Sequence, residues 1–376
     1  MLRQRVKSRP VVVVTGARQT GKTTLVKRLF PRYSYVSLDL PSEAAQAETE
    51  PRAFLARHPA PVIVDEIQYA PGLLRFLKLD VDAHREENGR YILTGSQPFE
   101  LMAGVSESLA GRASVLTLGG LTYGEIRGAR PDFRVEDFVL RGGYPELYEK
   151  PDLDARDYFQ SYVATYLERD LRNQLRVGSL RDFERFLRVA ALRTAQLVNR
   201  ADMARDVGIS GSTAGEWLSL LERSGVLRLL EPWFSRRTKA LIKTPKLHLM
   251  DCGLAAHLVG MFSPGDLFES PLSGALWESA VHQEIAGTLA VTGNWQLAFW
   301  RDRTKEADFL FHRAGRFLLA DAKWSEAPRD PGKLARVLEE MPAKTRGALI
   351  CRTANAFGMG HRIEALPLGD LAGWIE

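Results

Sequence analysis

Residues 16–23 read GARQTGKT; they follow the apolar β-branched run VVVV and lead into a helix-like stretch, TTLVKRLF. The segment matches G-x-x-x-x-G-K-[ST] in the strand-to-helix context that separates a phosphate-binding loop from a chance match. Its glycines let backbone N–H groups turn inward around phosphates, and the helix N-terminus adds positive potential. The segment therefore predicts a nucleotide site. The alternative is a plain glycine turn between a strand and a helix.

The residues of this loop have different expected roles. Lys22 is expected to reach the β- and γ-phosphates, and Thr23 is expected to place its hydroxyl on Mg²⁺. The other residues expected to contact the nucleotide are Gly16, Ala17, Arg18, Gln19, Thr20, Gly21 and Thr24. ATP and Mg²⁺ are therefore the predicted substrate and cofactor.

Strand-like segments alternate with helical ones over the first 150 residues, which predicts a parallel α/β sheet. The candidate strands are VVVVTG, YSYVSL, PVIVDE and YILTGS. Asp65 and Glu66 end PVIVDE, and ligands bind at the carboxyl ends of strands in open α/β sheets. We expect Asp65 to hold Mg²⁺ through water and Glu66 to activate the attacking water. The alternative for this pair is a helix N-cap.

Two further groups follow along the chain. Thr94 or Ser96, in YILTGSQ, is expected to contact the γ-phosphate or the water, unless it only caps the strand end. Arg112 ends the segment ESLAGR and is placed to reach the nucleotide of a neighbouring subunit. An arginine supplied in this way contributes about 10³–10⁵ in rate. The alternative role for Arg112 is a surface salt bridge.

Composition sets wide bounds. A length of 376 residues suggests two or three domains, and the net charge of +5 permits a nucleic-acid partner without requiring one. Cys252 and Cys351 stand in no metal-binding spacing. We see neither a signal-peptide apolar region nor a stretch of about 20 apolar residues, so we expect a cytoplasmic protein of bacterial or archaeal type.

The segments GARQTGKTTL, VDEIQ, LTGSQ, SLAGR, RGGYPE and YLERDL together resemble the AAA+ ATPases that join an AAA_14-type core to a DUF4143 domain, over essentially the whole chain. The resemblance implies a nucleotide bound between subunits of a homo-oligomer, with a hexameric ring favoured. It also implies a GG-x-P segment near the adenine, which corresponds here to Gly142, Gly143 and Pro145. Residues 151–180 resemble lid helices, in which Arg169 and Asp170 are expected to form a structural ion pair.

Residues 181–246 carry thirteen Lys or Arg and seven Asp or Glu. They contain a helix, a turn around Gly208 and a second helix opened by Ser212 or Thr213, which is a helix-turn-helix pattern. A hairpin-like stretch follows, and its basic tip would be the wing of a winged helix: Arg236, Arg237 and Lys239. The second helix offers few base-reading side chains, so we expect DNA contacts with little sequence specificity. The alternative is a helical spacer.

The C-terminal part carries a second group of charged residues. Asp308 begins the strand-like ADFLF, whereas Asp321 and Lys323 lie two residues apart in LLADAKW and so share a face. Two carboxylates suit Mg²⁺ or Mn²⁺, and a lysine can stabilise a hydroxide or the charge developing on phosphorus. Asp308 and Asp321 are therefore the predicted metal ligands of this second site.

EAD followed by DAK resembles the PD-(D/E)xK nuclease superfamily over roughly residues 270–355. This resemblance implies a further acidic residue on the first helix of the domain, for which Glu278 is the first choice and Glu284 the second. It predicts metal-dependent cleavage of DNA. The alternative is a nuclease-like module that only binds or supports a partner.

The predicted fold is α/β, with a P-loop AAA+ parallel-sheet core, a helical lid, a winged-helix domain and a restriction-endonuclease-like C-terminal domain. The expected boundaries are 1–135, 136–180, 181–246 and 247–376. The first functional hypothesis is an oligomeric ATPase that acts on DNA through a Mg²⁺- or Mn²⁺-dependent nuclease or a DNA-structure-binding domain. The second is an ATP-controlled switch or scaffold whose nuclease-like domain is catalytically silent and binds protein partners.

Overall fold

The computed structural model describes residues 1–96, 105, 108–167, 180–233, 243–293 and 295–376. The chain forms two compact units, one of Met1–Gly119 with Arg223–Gly225 and one of Gly120–Glu222 with Val226–Glu376. The predicted α/β class is confirmed by a parallel sheet in the first unit and a mixed sheet near the C-terminus. The finer division into four domains stays a prediction.

The first unit is built on a parallel sheet whose strand order is β2-β3-β4-β1-β5. Its strands are β1 Val11–Thr15, β2 Ser34–Ser37, β3 Val62–Asp65, β4 Tyr91–Gly95 and β5 Ala113–Thr117. Its helices are α1 Leu2–Ser8, α2 Lys22–Leu29, α3 Pro41–Thr49, α4 Pro51–Arg57 and α5 Leu73–Ala83, with a 3₁₀ turn at Ile67–Tyr69. Because β4 lies between β1 and β3, the ends of these three strands meet at one edge of the sheet.

The valine run of β1 is buried on both faces of the sheet. Val11 and Val13 pack into one hydrophobic cluster with residues of α5, whereas Val12 and Val14 pack into another with residues of α1 and α2. Unbroken apolar strands of this kind are typical of parallel sheets covered by helices on both sides. Packing on both faces therefore holds β1 in place, and with it the point at which the following loop begins.

The second unit begins with helices and a small sheet. The helices are α6 Tyr123–Ala129, α7 Val135–Arg141, α8 Glu146–Glu149, α9 Ala155–Tyr162, α10 Leu180–Leu192, α11 Arg200–Val207 and α12 Gly211–Arg223, with a π-helical turn at Val163–Leu167. The antiparallel sheet has the order β6-β8-β7, with β6 Gln196–Leu197, β7 Leu227–Leu230 and β8 Lys246–Leu249. Phe183 and Phe186 of α10 meet the ring of Trp217 in α12 edge-on, at centroid distances of 5.2 and 5.3 Å.

The helix-turn-helix pattern corresponds to α11 and α12. Gly208 ends α11 with φ of 87°, a backbone conformation that favours glycine. Ser210, rather than Ser212 or Thr213, supplies the hydroxyl that accepts the backbone N–H of Thr213 at 3.1 Å. The predicted wing residues Arg236, Arg237 and Lys239, and the predicted pair Arg169 and Asp170, lie outside the described residues.

The rest of the second unit is a six-stranded mixed sheet with helices on both faces. The strands are β9 Gln296–Arg301, β10 Glu306–Arg313, β11 Arg316–Ala322, β12 Arg346–Cys351, β13 Phe357–Gly360 and β14 Ile363–Pro367, in the order β13-β14-β12-β11-β10-β9. The helices are α13 Cys252–Leu258, α14 Pro264–Glu269, α15 Ser273–Thr292, α16 Lys333–Glu340 and α17 Leu371–Ile375. No helix in the described ranges is long and apolar enough to cross a membrane.

A β-bulge in β10 changes which face its side chains reach. The pairing of β10 with β9 shifts by one residue between Ala307 and Leu310. Ala307 and Leu310 pack in the cluster that includes residues of α16, whereas Phe309 packs in the cluster that includes residues of α15. Bulges of this kind redirect a side chain, and this one lies at Asp308.

Candidate nucleotide-binding site and acidic cluster

The loop between β1 and α2 has the backbone that a phosphate cradle requires. Gly21 precedes α2 in the left-handed conformation, with φ of 84°, and Gly16 has φ of 143°. A Cβ atom on Gly16 would lie 2.1 Å from the carbonyl oxygen of Leu118, so only glycine fits there. The loop therefore passes too close to the backbone of Leu118 for any side chain at position 16.

Lys22 lies at the start of α2 and is nearly buried. Its ammonium donates hydrogen bonds to the carbonyl oxygens of Gly16 at 3.1 Å and Ala17 at 2.7 Å. Burial lowers the pKa of Lys22 to about 8, although the charges of Glu66 and Asp65 oppose the shift. A cation held this close to the loop backbone is placed to meet an anion that the loop encloses.

Asp65, at the end of β3, collects hydroxyl groups from three other elements. The hydroxyl of Thr23 donates to its carboxylate at 2.9 and 3.1 Å, and the hydroxyl of Tyr35 donates at 2.9 Å. Thr94, at the end of β4, donates to the same carboxylate. These groups fit Mg²⁺, because carboxylate and hydroxyl oxygens are the ligands that this hard cation takes. Thr23 and Asp65 are the residues that would hold it.

Glu66 stands next to Asp65 in a left-handed backbone conformation, with φ of 55°. Its carboxylate accepts hydrogen bonds from the side-chain amide of Gln68 and from the hydroxyl of Ser96 at 3.2 Å. Its backbone N–H donates to the hydroxyl of Thr94 at 3.3 Å. The fold therefore brings Glu66, Thr94 and Ser96 together, and their roles toward a nucleotide stay predictions.

Two residues of this site had no predicted role. Tyr35 lies in β2, where the register pairs Ser37 with Asp65, so that Tyr35 shares the face of the sheet on which Asp65 lies. Gln68 lies in VDEIQ, a segment recognised only as a family mark. For Gln68, the one signal in the sequence is its position two residues after Glu66.

Arg112 is held within its own unit. Its Nε and Nη2 atoms contact the two carboxylate oxygens of Asp82 at 2.7 and 3.0 Å, and its Nη1 donates to the carbonyl oxygen of Ala110 at 3.1 Å. This geometry fits the salt-bridge alternative. The role of Arg112 toward a neighbouring subunit stays a prediction.

The GG-x-P segment lies in the second unit, between α7 and α8. The backbone N–H of Gly143 donates to the carboxylate of Asp251 at 2.7 Å, and a Cβ atom on Gly142 would lie 2.0 Å from an oxygen of that carboxylate. Pro145 directly precedes α8. These contacts give the two glycines a packing role, and the adenine contact of Pro145 stays a prediction.

The acidic residues predicted for the C-terminal site come together on neighbouring strands. Asp308 accepts a hydrogen bond from the backbone N–H of Ala322, and Asp321 accepts one from the backbone N–H of Asp308, each at 3.0 Å. Lys323 lies 3.8 Å from Asp321 and its side chain is 48% exposed. Burial and the charge of Asp308 raise the pKa of Asp321 to about 7.

A different lysine occupies the centre of this cluster. The Nζ atom of Lys246, in β8, lies 2.9 Å from Glu278, 2.7 Å from Glu306 and 3.2 Å from Asp308. Burial by itself lowers the pKa of Lys246, but the three carboxylates outweigh it and raise that pKa above its ordinary value. We call Lys246, Glu278, Glu306 and Asp308 the acidic cluster.

The acidic cluster does not fit a bound metal ion. Its carboxylates already surround an ammonium group, and no set of three or more His, Cys, Asp or Glu in the described part of the chain is arranged to hold a metal. Burial and the charge of Asp308 also raise the pKa of Glu278 to about 8, and the ammonium of Lys246 opposes this shift.

Glu284, the second choice for the acidic helix residue, has a different function. Its carboxylate accepts the backbone N–H of Tyr123 at 2.6 Å and of Gly124 at 3.2 Å. These are unpaired donors of the first turn of α6, and a carboxylate there satisfies them and complements the helix dipole. Burial raises the pKa of Glu284 to about 7.

The fold and the loop support an ATPase of the AAA+ type, and comparison with known families agrees. The model of an AAA domain, AAA_14, matches residues 8–127, and that of Domain of unknown function (DUF4143) matches residues 273–371. The chain therefore carries an AAA_14 domain at its N-terminus and a DUF4143 domain at its C-terminus. This confirms the resemblance to proteins that join these two domains, while the resemblance to the nuclease superfamily stays a prediction. A third model, Domain of unknown function (DUF8612), matches residues 132–265, which the sequence patterns did not indicate.

Uncharacterized proteins of Mycobacterium bovis and Mycobacterium tuberculosis are each 29% identical over 98% of this chain and 82% of their own length. Among solved structures, a signal transduction ATPase with a tetratricopeptide repeat sensor from Pyrococcus horikoshii is 12% identical, with a TM-score of 0.27. That match covers 77% of this chain and 46% of the other. A protein from Vibrio cholerae is 12% identical over 97% of both chains, with a TM-score of 0.21.

Proposed function

We propose that this protein binds ATP with Mg²⁺ at the loop before α2 and hydrolyses it, and that the nucleotide controls how copies of the chain associate. The proposal depends on one observation: the fold brings Lys22, Thr23, Asp65 and Glu66 to the carboxyl edge of one parallel sheet. These are the groups that phosphoryl transfer to water requires, namely a phosphate-binding cation, magnesium ligands and a base.

The residues of the site divide this work. Lys22 and the loop amides bind the phosphates, while Thr23 and Asp65 hold Mg²⁺, which neutralises phosphate charge when bound. Glu66 accepts a proton from the attacking water. Thr94 contacts the carboxylate of Asp65 and Ser96 contacts that of Glu66. These hydroxyl groups hold the two carboxylates in position toward the metal and the attacking water.

Two substitutions test this division. Lys22→Ala should abolish ATP binding in calorimetry, whereas Lys7→Ala, on the exposed face of α1, should not. Glu66→Gln should bind ATP as the wild type does while its turnover falls by about 10²–10⁴-fold, the usual contribution of a positioned base. Folded wild-type protein that binds no adenine nucleotide would contradict the proposal.

The association of copies is supported only by the family resemblance, in which a hexameric ring is favoured. Sedimentation of Glu66→Gln with ATP and with ADP tests it, because this variant accumulates the ATP-bound state. A larger species with ATP alone is expected. The same mass in both nucleotides would contradict control of assembly by ATP.

DNA binding is a second proposed function, and α11 and α12 are the observation that favours it. They follow one another as helix, turn and helix and lead into strands of an antiparallel sheet, and helix-turn-helix domains place their second helix in the major groove of DNA. The exposed face of α12 carries Ser212, Glu216 and Ser219. Such a face offers few contacts to base edges, so binding should depend on backbone phosphates and fall steeply with salt.

Charge reversal on α12 tests whether this face meets DNA. Glu216→Lys should strengthen binding in a gel shift and steepen its salt dependence, because it adds a phosphate contact. The matched control is Glu339→Lys, on the exposed face of α16, which should change neither. Equal effects of the two substitutions, or no DNA binding at low salt, would exclude this use of α12.

Cleavage of DNA is not part of the proposal. Among the predicted cleavage residues Asp308, Asp321 and Lys323, Asp308 is already paired with the buried ammonium of Lys246. The geometry instead supports the alternative in which the nuclease-like domain is catalytically silent.

A further inference from the structure

The ammonium group of Lys246 has all of its hydrogen-bonding capacity used inside the acidic cluster. An ammonium carries three N–H donors, and three carboxylates lie within 3.2 Å of it. The Lys246 side chain is 1% exposed, so water does not compete for these contacts. The position at which the carboxylates converge is therefore filled by a cation of the chain itself.

A divalent cation and Lys246 cannot share this position. Mg²⁺ or Mn²⁺ takes about six oxygen ligands at roughly 2.0–2.2 Å, whereas the carboxylates of the cluster surround the ammonium nitrogen at 2.7–3.2 Å. Binding of a metal would drive a buried, charged lysine away from its partners, and leaving a buried charge unpaired is strongly unfavourable. The wild-type cluster therefore favours its own lysine.

The contacts of Lys246 also connect two sheets of the second unit. Lys246 lies in β8, which pairs with β6 and β7, whereas Glu306 and Asp308 lie in β10 of the six-stranded sheet. The segment directly after β7 also meets β9 by backbone hydrogen bonds, from Phe299 to Glu231 at 3.1 Å and from Trp233 to Phe299 at 2.7 Å. The lysine thus belongs to the segment matched by DUF8612 and its partners to the segment matched by DUF4143.

We propose that Lys246 is the permanent cation of the acidic cluster, where it excludes divalent metal and fastens the small sheet to the nuclease-like sheet. Carboxylates that resemble the ligands of a metal centre then form a buried ion-pair network, which we call the joint, between the segments matched by two family models. This inference does not depend on ATP hydrolysis, because it concerns residues of the second unit only.

Metal binding gives the first test. Mn²⁺ bound to nucleotide-free, full-length protein is measured by electron paramagnetic resonance. Wild type and Asp308→Asn should bind the same amount of Mn²⁺, because no Mn²⁺ site of the wild type is expected to use Asp308. Lys246→Ala should gain a Mn²⁺ site, and Lys246→Ala with Asp308→Asn should lose it again. A wild-type Mn²⁺ site that Asp308→Asn abolishes would overturn the proposal, as would the absence of any gain in a folded Lys246→Ala.

Thermal unfolding of metal-free protein gives a second test that does not require Lys246→Ala to fold. In an open metal site the carboxylates repel one another, so neutralising one of them raises the melting temperature. In the proposed joint each carboxylate is attracted to Lys246, so Glu306→Gln and Asp308→Asn should each lower the melting temperature, whereas Glu339→Gln on α16 should not. A rise, or no change, in both cluster variants would contradict the joint.

Discussion

The side-chain amide of Gln68 donates a hydrogen bond to the carboxylate of Glu66, the group proposed to accept a proton from the attacking water. The same amide lies 3.4 Å from the hydroxyl of Ser96, which contacts that carboxylate too. Glu66 also has a left-handed backbone, with φ of 55°, a conformation that a non-glycine residue adopts only when its surroundings hold it. Gln68 and Ser96 therefore fix the direction of a base that would otherwise be free to rotate.

Gln68→Ala should slow ATP hydrolysis while leaving ATP affinity unchanged. A misplaced catalytic group costs about 10²-fold in rate for a shift near 1 Å, so we expect a loss of roughly one to two orders of magnitude in kcat. Steady-state turnover and calorimetric affinity are the two measurements. A variant with wild-type kcat would show that Ser96 alone suffices to position Glu66.

Tyr35→Phe should raise the Mg²⁺ concentration that ATP hydrolysis requires. The Tyr35 hydroxyl donates to Asp65 at 2.9 Å, and burial together with Asp65 raises the pKa of Tyr35 to about 12, so the hydroxyl keeps its proton. Loss of a partner that orients a metal ligand commonly costs about 10–100-fold in metal affinity.

Tyr33→Phe is the matched control for this experiment, because the Tyr33 hydroxyl donates to the carbonyl oxygen of Gly89 and not to Asp65. Hydrolysis is measured at saturating ATP over a range of Mg²⁺ concentrations. Identical Mg²⁺ dependence in the two variants would remove Tyr35 from the magnesium site.

Much of the candidate nucleotide site was predictable because its signals are local in the chain. The glycine loop, the buried strand and the acidic pair after it each lie within a few residues, and the carboxyl ends of parallel strands meet at one edge. Tyr35 was not predictable in this way. Its contact with Asp65 depends on the register between β2 and β3, and no short sequence pattern fixes the pairing of strands that lie far apart in sequence.

The acidic cluster shows the same limit more sharply. The spacing of Asp321 and Lys323 predicted a lysine beside the carboxylates, but the lysine that enters the cluster is Lys246, 62 residues before Asp308. The bulge in β10 and the meeting of two sheets decide which lysine reaches the carboxylates. Both are properties of tertiary packing, and the sequence gives no local sign of either.

Arg112→Ala should leave ATP turnover per folded protomer unchanged. All three guanidinium nitrogens of Arg112 already have acceptors in its own unit, two of them on Asp82 and one on Ala110. Arg112→Ala and Asp82→Ala should therefore both lower the melting temperature, because each removes the ion pair between the two residues. A loss of turnover in Arg112→Ala alone, deepening non-linearly when the variant is mixed into wild type, would instead assign Arg112 to a neighbouring subunit's nucleotide.

Glu284→Gln should flatten the pH dependence of stability. The pKa of Glu284 is raised from 4.5 to about 7 in the folded protein, mainly by burial. Between these values the folded state binds more protons than the unfolded state, so stability falls as pH rises through this window. Glutamine cannot ionise, yet its amide oxygen can still accept the N–H groups of Tyr123 and Gly124.

Thermal unfolding between about pH 5 and pH 8 measures this difference. The melting temperature of wild type should fall relative to that of Glu284→Gln as pH rises, so that the variant becomes the more stable protein near pH 8. Glu339→Gln, an exposed change on α16, should follow the wild-type curve. Parallel curves for wild type and Glu284→Gln would mean that the carboxylate is already ionised without cost in the folded state, held by the two amide donors of α6.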